Sequence, residues 1–204
     1  MLYACDSTQE CKDIHHGMAL HVMTVLSCSK SQWFAFDGTL LGLVRNQSLS
    51  PNNKDMDVDV VVNNPWFDDF ARPGSVFVQV LGGLGYHVLQ DNDNILRVCV
   101  AQGAPGITKD PRAGNITHIE SISYIDSYNY VDIYQNKEYR MDEGTDDFAY
   151  KISYHADPFP AEVLFPLQRI DYKGYKIPVP ARPEIILKYL YGEWRLVHAT
   201  KHGT

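Results

Sequence analysis

The sequence predicts an α/β (α+β) domain built on a mixed β-sheet that is flanked by helices. Helix-like and strand-like segments are intermixed along the chain, which favours this class over an all-helix or all-strand fold. The apolar run that ends in Val60-Val61-Val62 is typical of an interior strand. Neither the dinucleotide-binding pattern G-x-G-x-x-G nor the P-loop pattern occurs, so we do not expect a doubly wound nucleotide-binding fold.

The first half of the chain alternates between helices and short strands. Apolar residues recur at helical spacing from Ile14 to Leu26, which predicts a first helix over residues 13–30. A short apolar strand then ends in a glycine turn, and Thr39 is a candidate N-cap for the helix that follows. The predicted elements after the first helix are a strand over 32–38, a helix over 39–47, a strand over 56–62 and helices around 66–71 and over 75–84.

The second half predicts mostly strands and one terminal helix. Gly174 lies near the turn of a predicted hairpin, and Pro183 and Gly192 suit the first turn and the end of the last helix. The polar stretch 142–150 is interpreted as a solvated loop. The predicted elements are a hairpin of 86–90 with 95–101, a loop over 103–115, strands over 116–125 and 128–135, a hairpin within 167–180 and a helix over 183–194.

Bulk properties limit the classes of function. A length of 204 residues favours one domain spanning 1–204. The net charge of −7 argues against nucleic acid as a partner, because a phosphate backbone needs a basic face. No run reaches the roughly 18 to 20 apolar residues of a membrane span, and no secretory signal is recognised.

We expect Cys28 and Cys99 to be reduced core thiols, while Cys5 and Cys11 could form a disulfide in an oxidising compartment.

The strongest chemical signal is a pair of aspartates on one strand. Side chains alternate across a strand, so Asp57 and Asp59 project from one face, while the intervening valines point to the core. Like charges raise each other's pKa, and a divalent cation is the simplest compensation. Mg²⁺ and Mn²⁺ prefer carboxylate and phosphate oxygens. The alternative is an edge strand whose aspartates simply face water.

Two further features favour the metal site over that alternative. Asp132 lies inside a second apolar strand, where an isolated carboxylate needs a partner, and a neighbouring strand could bring it to the same cation. Gly38 and Thr39 form a strand-to-helix turn, whose backbone N–H groups can hold phosphate. Together these residues predict a phosphoryl or nucleotidyl transfer site, with Asp132 as the first candidate for a general base.

Other residues have ordinary interpretations. His15, His16 and His21 on the first helix are expected to be surface or packing residues. Tyr128, Tyr130 and Tyr134 share strand parity with Asp132, and we expect them to pack in the core, with stacking on a base or sugar as the alternative.

The motif Gly38-Thr39-Leu40-Leu41-Gly42 with Arg45, followed by the Asp57-x-Asp59 strand, resembles the LicD/fukutin family. The ending Tyr191-Gly192-Glu193-Trp194 is similar to that of the family. The likeness covers residues 32–195 and implies the nucleotidyltransferase superfamily, with a DNA polymerase β-like fold. The stretch 51–60 departs from the family pattern, because it lacks the usual Pro-Trp and has Lys54 within the acidic cluster.

The resemblance implies a metal-dependent phosphotransferase that uses Mg²⁺ or Mn²⁺. Such enzymes move phosphocholine, ribitol phosphate or mannose phosphate from a CDP- or GDP-linked donor to a glycan hydroxyl. In this chain Asp57, Asp59 and Asp132 would bind metal. Gly38, Thr39, Arg45 and Lys54 would bind the donor diphosphate.

Two alternatives and the compartment stay open at this point. One alternative is a nucleotidyltransferase acting on a small molecule or protein, and the other is a catalytically idle regulator of a glycosylation complex. The resemblance is compatible with the Golgi lumen for a eukaryotic relative and with the cytoplasm for a bacterial one.

Overall fold

A computed structural model of the chain describes residues 9–49, 58–100, 130–140, 148–152, 155 and 157–196. The helices are α1 Gln9–Cys28, α2 Asp37–Asn46, α3 Trp66–Ala71, α4 Val76–Gly83, α5 Ala161–Leu164 and α6 Pro183–Tyr191. The strands are β1 Trp33–Ala35, β2 Val58–Asn63, β3 Tyr86–Asn92, β4 Ile95–Val100, β5 Val131–Arg140, β6 Phe148–Ile152, β7 Phe159–Pro160, β8 Gln168–Tyr172 and β9 Tyr175–Val179.

One mixed sheet forms the centre of the fold. Five strands lie side by side in the order β1, β2, β5, β4, β3, and β6 pairs with the far half of β5 and with β7. β2 and β5 run parallel, whereas the other paired strands of the sheet are antiparallel. Because helices accompany this mixed sheet, the predicted α+β class is confirmed.

β2 is an interior strand. It lies between β1 and β5, and every residue from Val58 to Val62 is buried. Val58, Val60 and Val62 share one face, and they are at most 1 % exposed, as expected for a core strand. The alternative of an edge strand whose aspartate faces water is therefore excluded for Asp59, which is 8 % exposed.

α1 packs on the sheet through an apolar stripe. Met18, Val22 and Leu26 are fully buried at four-residue spacing, and the helix contacts β4, β5 and α4. Cys28 lies two positions beyond Leu26, about 200° round the helix, so it is exposed and its predicted place in the core is wrong. Cys99 is buried, as expected. No helix in the described part of the chain has the length and apolar character to cross a membrane.

The β8–β9 hairpin forms where the turn residues predict it. Tyr172 and Tyr175 are direct partners, so Lys173 and Gly174 make a two-residue turn. Both turn residues have positive φ, at 50° and 86°, as a type I′ turn requires.

Several boundaries differ from the sequence prediction: β5, for example, continues to Arg140, whereas the predicted strand ends at residue 135. Part of the stretch expected to be a solvated loop is strand β6, which begins at Phe148 because its apolar side chains pack beside β5. α6 ends at Tyr191 rather than at residue 194, because Gly192 leaves the helix with a φ of 60°. The predicted strand over 116–125 lies outside the described residues.

His15 ties α1 to the start of β5. Its Nε2 lies 2.8 Å from the carbonyl oxygen of Tyr130, and the ring is buried. A carbonyl can only accept a hydrogen bond, so the neutral ring carries its proton on Nε2. Burial lowers the pKa of His15 from 6.5 to about 4, because desolvation of the imidazolium outweighs the favourable carbonyl contact. His15 is thus a packing residue, as expected.

This shift predicts a pH-dependent stability. The unfolded chain protonates His15 near pH 6.5 and the folded chain only near pH 4, so the stabilising contribution is complete above pH 6.5 and is lost as the pH falls towards 4. His15→Gln can still donate to the same carbonyl but does not titrate. We expect it to remove on the order of 2 kcal/mol from the stability lost between about pH 7 and pH 4.5.

Urea unfolding at the two pH values measures this difference. His21→Gln, on the exposed side of the same helix, is the control. An equal pH dependence in the wild type and His15→Gln would contradict the prediction.

Candidate active site

Three charged residues form a row across three adjacent strands. Asp59 on β2 is the direct partner of Asp132 on β5, and Asp132 is the direct partner of Arg97 on β4. Direct partners in neighbouring strands project from the same face of the sheet. The sheet therefore brings Asp59 and Asp132 together, as the sequence predicted, and adds a guanidinium beside them.

Tyr134 links the two carboxylates. Its hydroxyl lies 3.0 Å from Asp59 Oδ1 and 3.3 Å from Asp132 Oδ2. Tyr134 follows Asp132 by two residues, so it shares its sheet face, and it is 5 % exposed. One oxygen of each aspartate thus contacts the Tyr134 hydroxyl, and Tyr134 is a buried residue as expected.

Arg97 supplies a compensating positive charge. Its Nε donates to Asp132 Oδ1 at 3.0 Å, and its guanidinium lies 4.9 Å from the centre of the Tyr130 ring. Asp132 is 6 % exposed. Desolvation of two neighbouring carboxylates is costly, and the adjacent guanidinium offsets part of that cost.

The negative charge also affects a neighbouring thiol. Burial, and secondly the charge of Asp132, raise the pKa of the Cys99 thiol to about 12, although Arg97 acts in the opposite direction. Because the thiolate is the nucleophilic form, Cys99 is unreactive at neutral pH.

The donor set suits a hard divalent cation. Carboxylate oxygens that converge from two rigid strands are ligands that Mg²⁺ and Mn²⁺ prefer. Among the described residues no three His, Cys, Asp or Glu side chains come together as a metal-binding group. The third predicted ligand, Asp57, lies outside the described residues, as does Lys54. Asp59 and Asp132 lie together, and their role as metal ligands stays a prediction.

The glycine turn is joined directly to the carboxylate strand. The Thr39 hydroxyl accepts a hydrogen bond from the backbone N–H of Asp59 at 2.8 Å, and the N–H of Phe36 donates to the Asp59 carbonyl at 3.1 Å. Thr39 is fully buried at the first turn of α2, with Gly38 beside it. The Thr39 side chain thus fixes the position of Asp59, and its predicted phosphate contact would have to use the backbone.

Arg45 lies at the other end of α2. It is six residues beyond Thr39, which is about 9 Å along a helix, and its Nη1 donates to the carbonyl of Leu196 at 3.0 Å. The structure does not bring the Arg45 side chain to the two carboxylates, so its predicted contact with the donor phosphate gains no support from this position.

A third buried carboxylate, Asp37, opens α2. It has a φ of 46°, which is unusual for a residue with a side chain, and it is 5 % exposed. The Tyr191 hydroxyl donates to Asp37 Oδ1, and His155 Nε2 lies 3.8 Å from Oδ2. Strained backbone of this kind persists only when the surroundings hold it, and Tyr191 and His155 provide that support.

Sequence reasoning missed Arg97 and the Asp37 cluster. Arg97 is the one charged residue in the apolar strand β4. Like Asp132, a charged residue in such a strand needs a buried partner of opposite charge. Asp37 stands between an apolar strand and Gly38, and no local pattern connects it with Tyr191, which is 154 residues away.

Comparison with known proteins leaves the family open. A scan against models of protein families found no match, and a search of curated proteins found none either. The resemblance to the LicD/fukutin family therefore rests on the motifs in the sequence, and what it implies stays a prediction.

Removal of the guanidinium tests the electrostatics of the row. Arg97→Met leaves two neighbouring buried carboxylates without this compensation, so we expect it to lower the free energy of unfolding by about 3 kcal/mol at neutral pH. Mn²⁺ should restore part of that loss, because a divalent cation can replace the missing charge. Urea unfolding with and without Mn²⁺ measures both effects.

The control for that experiment is Arg140→Met on the same sheet. Arg140 is exposed and stacks on Phe148, so its loss should cost less than about 1 kcal/mol. Equal effects of the two substitutions, or an Arg97→Met protein that is indifferent to Mn²⁺, would contradict the expected electrostatics.

A second substitution tests the support of Asp37. Tyr191→Phe removes the donor from a buried carboxylate and should cost about 1–3 kcal/mol. Tyr189→Phe, on the same helix, removes an exposed hydrogen bond to Asp157 and should cost clearly less. Thermal unfolding compares the two variants, and the reverse order of stability would contradict the assignment.

Proposed function

We propose that this protein is a metal-dependent phosphotransferase of LicD/fukutin type. It would transfer a phosphorylated alcohol or sugar from a nucleotide-diphosphate donor to a glycan hydroxyl. The observation that carries the proposal is the in-register pair of buried carboxylates, Asp59 and Asp132, on two parallel strands.

The surroundings of the pair support this chemistry. Two buried carboxylates are stable only with compensation, and Arg97 contributes one positive charge beside Asp132. Tyr134 and Thr39 restrain the pair, through the carboxylate oxygens and the Asp59 backbone respectively. Catalytic groups need such restraint, because misplacement of about 1 Å has a large effect on rate.

Asp59 and Asp132 would hold Mg²⁺ or Mn²⁺, with Asp57 as the third ligand implied by the resemblance. The cation would supply Lewis-acid stabilisation of the charge on the donor diphosphate. Gly38 and Thr39 would contribute backbone N–H groups to the same anion, at the start of α2. These assignments require the donor to lie across the junction of β2, β5 and the α2 turn.

The reaction transfers one phosphoryl-linked group. The acceptor oxygen forms a bond to the phosphorus that carries the alcohol or sugar, and the bond from that phosphorus to the bridging oxygen breaks. The nucleoside monophosphate leaves with the electron pair of the broken bond. Asp132 is our candidate for the base that takes the hydroxyl proton. Arg97 orients this carboxylate through the contact of its Nε with Asp132 Oδ1 at 3.0 Å.

Asp59→Asn is the direct test. The amide keeps the shape of the side chain but is a poor ligand for Mg²⁺ or Mn²⁺, so we expect transfer to fall by at least about a thousandfold. Circular dichroism should show an unchanged fold. Asp171→Asn, at an exposed aspartate on the β8–β9 hairpin, should leave transfer unchanged. Full activity of a folded, Mn²⁺-supplied Asp59→Asn protein would exclude the proposed site.

A donor screen tests the substrate class. CDP-choline, CDP-ribitol and GDP-mannose are each incubated with Mn²⁺ and a glycan acceptor, and release of CMP or GMP is measured. Pyrophosphate release from a nucleoside triphosphate would instead indicate a nucleotidyltransferase. Calorimetry that detects binding of neither Mn²⁺ nor any nucleotide would favour a non-catalytic regulator.

A further inference from the structure

A small polar pocket lies at the far end of β5, away from the carboxylate row. Its volume is about 220 Å³, and it is lined by Asn94, Gln135, Lys137, Tyr139 and Lys151. Residues 135, 137 and 139 lie an odd number of positions from Asp132 on the same strand. Their side chains therefore project from the opposite face of the sheet. Five residues separate Lys137 from Asp132, or about 16 Å along a strand. The pocket is therefore independent of the proposed phosphotransferase site.

Two lysines face each other across this pocket. Lys137 on β5 is the direct partner of Lys151 on β6 in the antiparallel pair. Like charges directly opposite one another destabilise a sheet, since their Cβ atoms lie only about 5 Å apart. The pair occurs in a chain whose net charge is −7.

Within the described residues, no carboxylate lies within ion-pair distance of either ammonium group. Lys137 donates to a neutral acceptor, Asn94 Oδ1, at 3.2 Å. Asp68 approaches this region, but its carboxylate accepts a hydrogen bond from Gln135 Nε2 at 3.1 Å. The pocket thus carries two positive charges, and none of its described lining residues has a carboxylate.

The lining is rich in hydrogen-bond donors. Besides the two ammonium groups, it contains the Tyr139 hydroxyl and the Asn94 amide, whereas Gln135 Nε2 already donates to Asn64 and Asp68. Ammonium groups bind phosphate as point charges, and charge-assisted hydrogen bonds are the strong ones. A pocket of about 220 Å³ is smaller than the roughly 300–1,000 Å³ that small-molecule sites occupy. It therefore suits a single phosphate group and not a nucleotide.

The geometry points to a binding site for a phosphate dianion between Lys137 and Lys151. The ligand is either free inorganic phosphate or the phosphate end of a small monoester. Its two negative charges match the two ammonium groups and remove the repulsion between the strands. Occupancy stabilises the junction of β5 and β6, at the opposite end of β5 from Asp132.

Calorimetric titration of the full chain with inorganic phosphate at constant ionic strength tests the site. We expect saturable binding to the wild type. Lys137→Gln and Lys151→Gln should each bind phosphate at least about tenfold more weakly, since each loses one charge-assisted contact. Lys188→Gln, at an exposed lysine on α6, is the matched control and should bind like the wild type. No saturable binding to the wild type, or equal weakening in the control, would overturn the proposal.

Thermal unfolding gives a second, independent readout. Without phosphate, Lys151→Gln should melt at or above the wild-type temperature, because the like-charge repulsion is gone. In saturating phosphate the order should reverse, because only the wild type gains the full binding energy. A Lys151→Gln protein that melts below the wild type in both conditions would overturn the site. Glycerol phosphate in the same assay distinguishes the two possible ligands. Binding tighter than that of inorganic phosphate assigns a phosphate monoester, and equal or weaker binding assigns the free phosphate ion.

Discussion

The parallel, in-register pairing of β2 with β5 is the constraint on which the rest of the candidate site depends. It makes Asp59 and Asp132 direct partners although they are 73 positions apart in the chain. A slip of one residue would send one aspartate to the opposite face of the sheet. A slip of β2 would turn Asp59 towards the face that Val58, Val60 and Val62 occupy, where burial of a carboxylate is costly.

The neighbouring elements act on this pair from different directions. β4 places Arg97 against Asp132, the hydroxyl of Tyr134 contacts both carboxylates, and the first turn of α2 holds the backbone of Asp59 through Thr39. Charge, hydrogen bonding and register thus favour the same arrangement. Such agreement between levels is the mark of a sequence that specifies one structure.

Much of the fold and half of the site follow from local patterns. The apolar flanks of Asp59 and Asp132 predicted interior strands, and the shared need for compensation predicted their meeting. The role of Arg97 was not predicted, because a single arginine in a strand does not indicate which residue it pairs with. Its partner, Asp132, lies 35 residues away. Cys28 was wrongly predicted to lie in the core. Whether it is buried depends on its angular position relative to the buried stripe of α1, and the apolar character of the residue does not give that angle. Strand β6 is specified by pairing with β5, and its own sequence gives only a weak signal.

The contact between Tyr191 and Asp37 also bears on the order in which the protein is made. Asp37 is synthesised 154 residues before the hydroxyl that holds its strained backbone. A nascent chain can form α1 and the β3–β4 hairpin early, since their contacts are local. The hydrogen bond from Tyr191 to Asp37 can form only after α6 has been synthesised. α6, the last helix in the described part of the chain, therefore completes the support of the residue that begins α2.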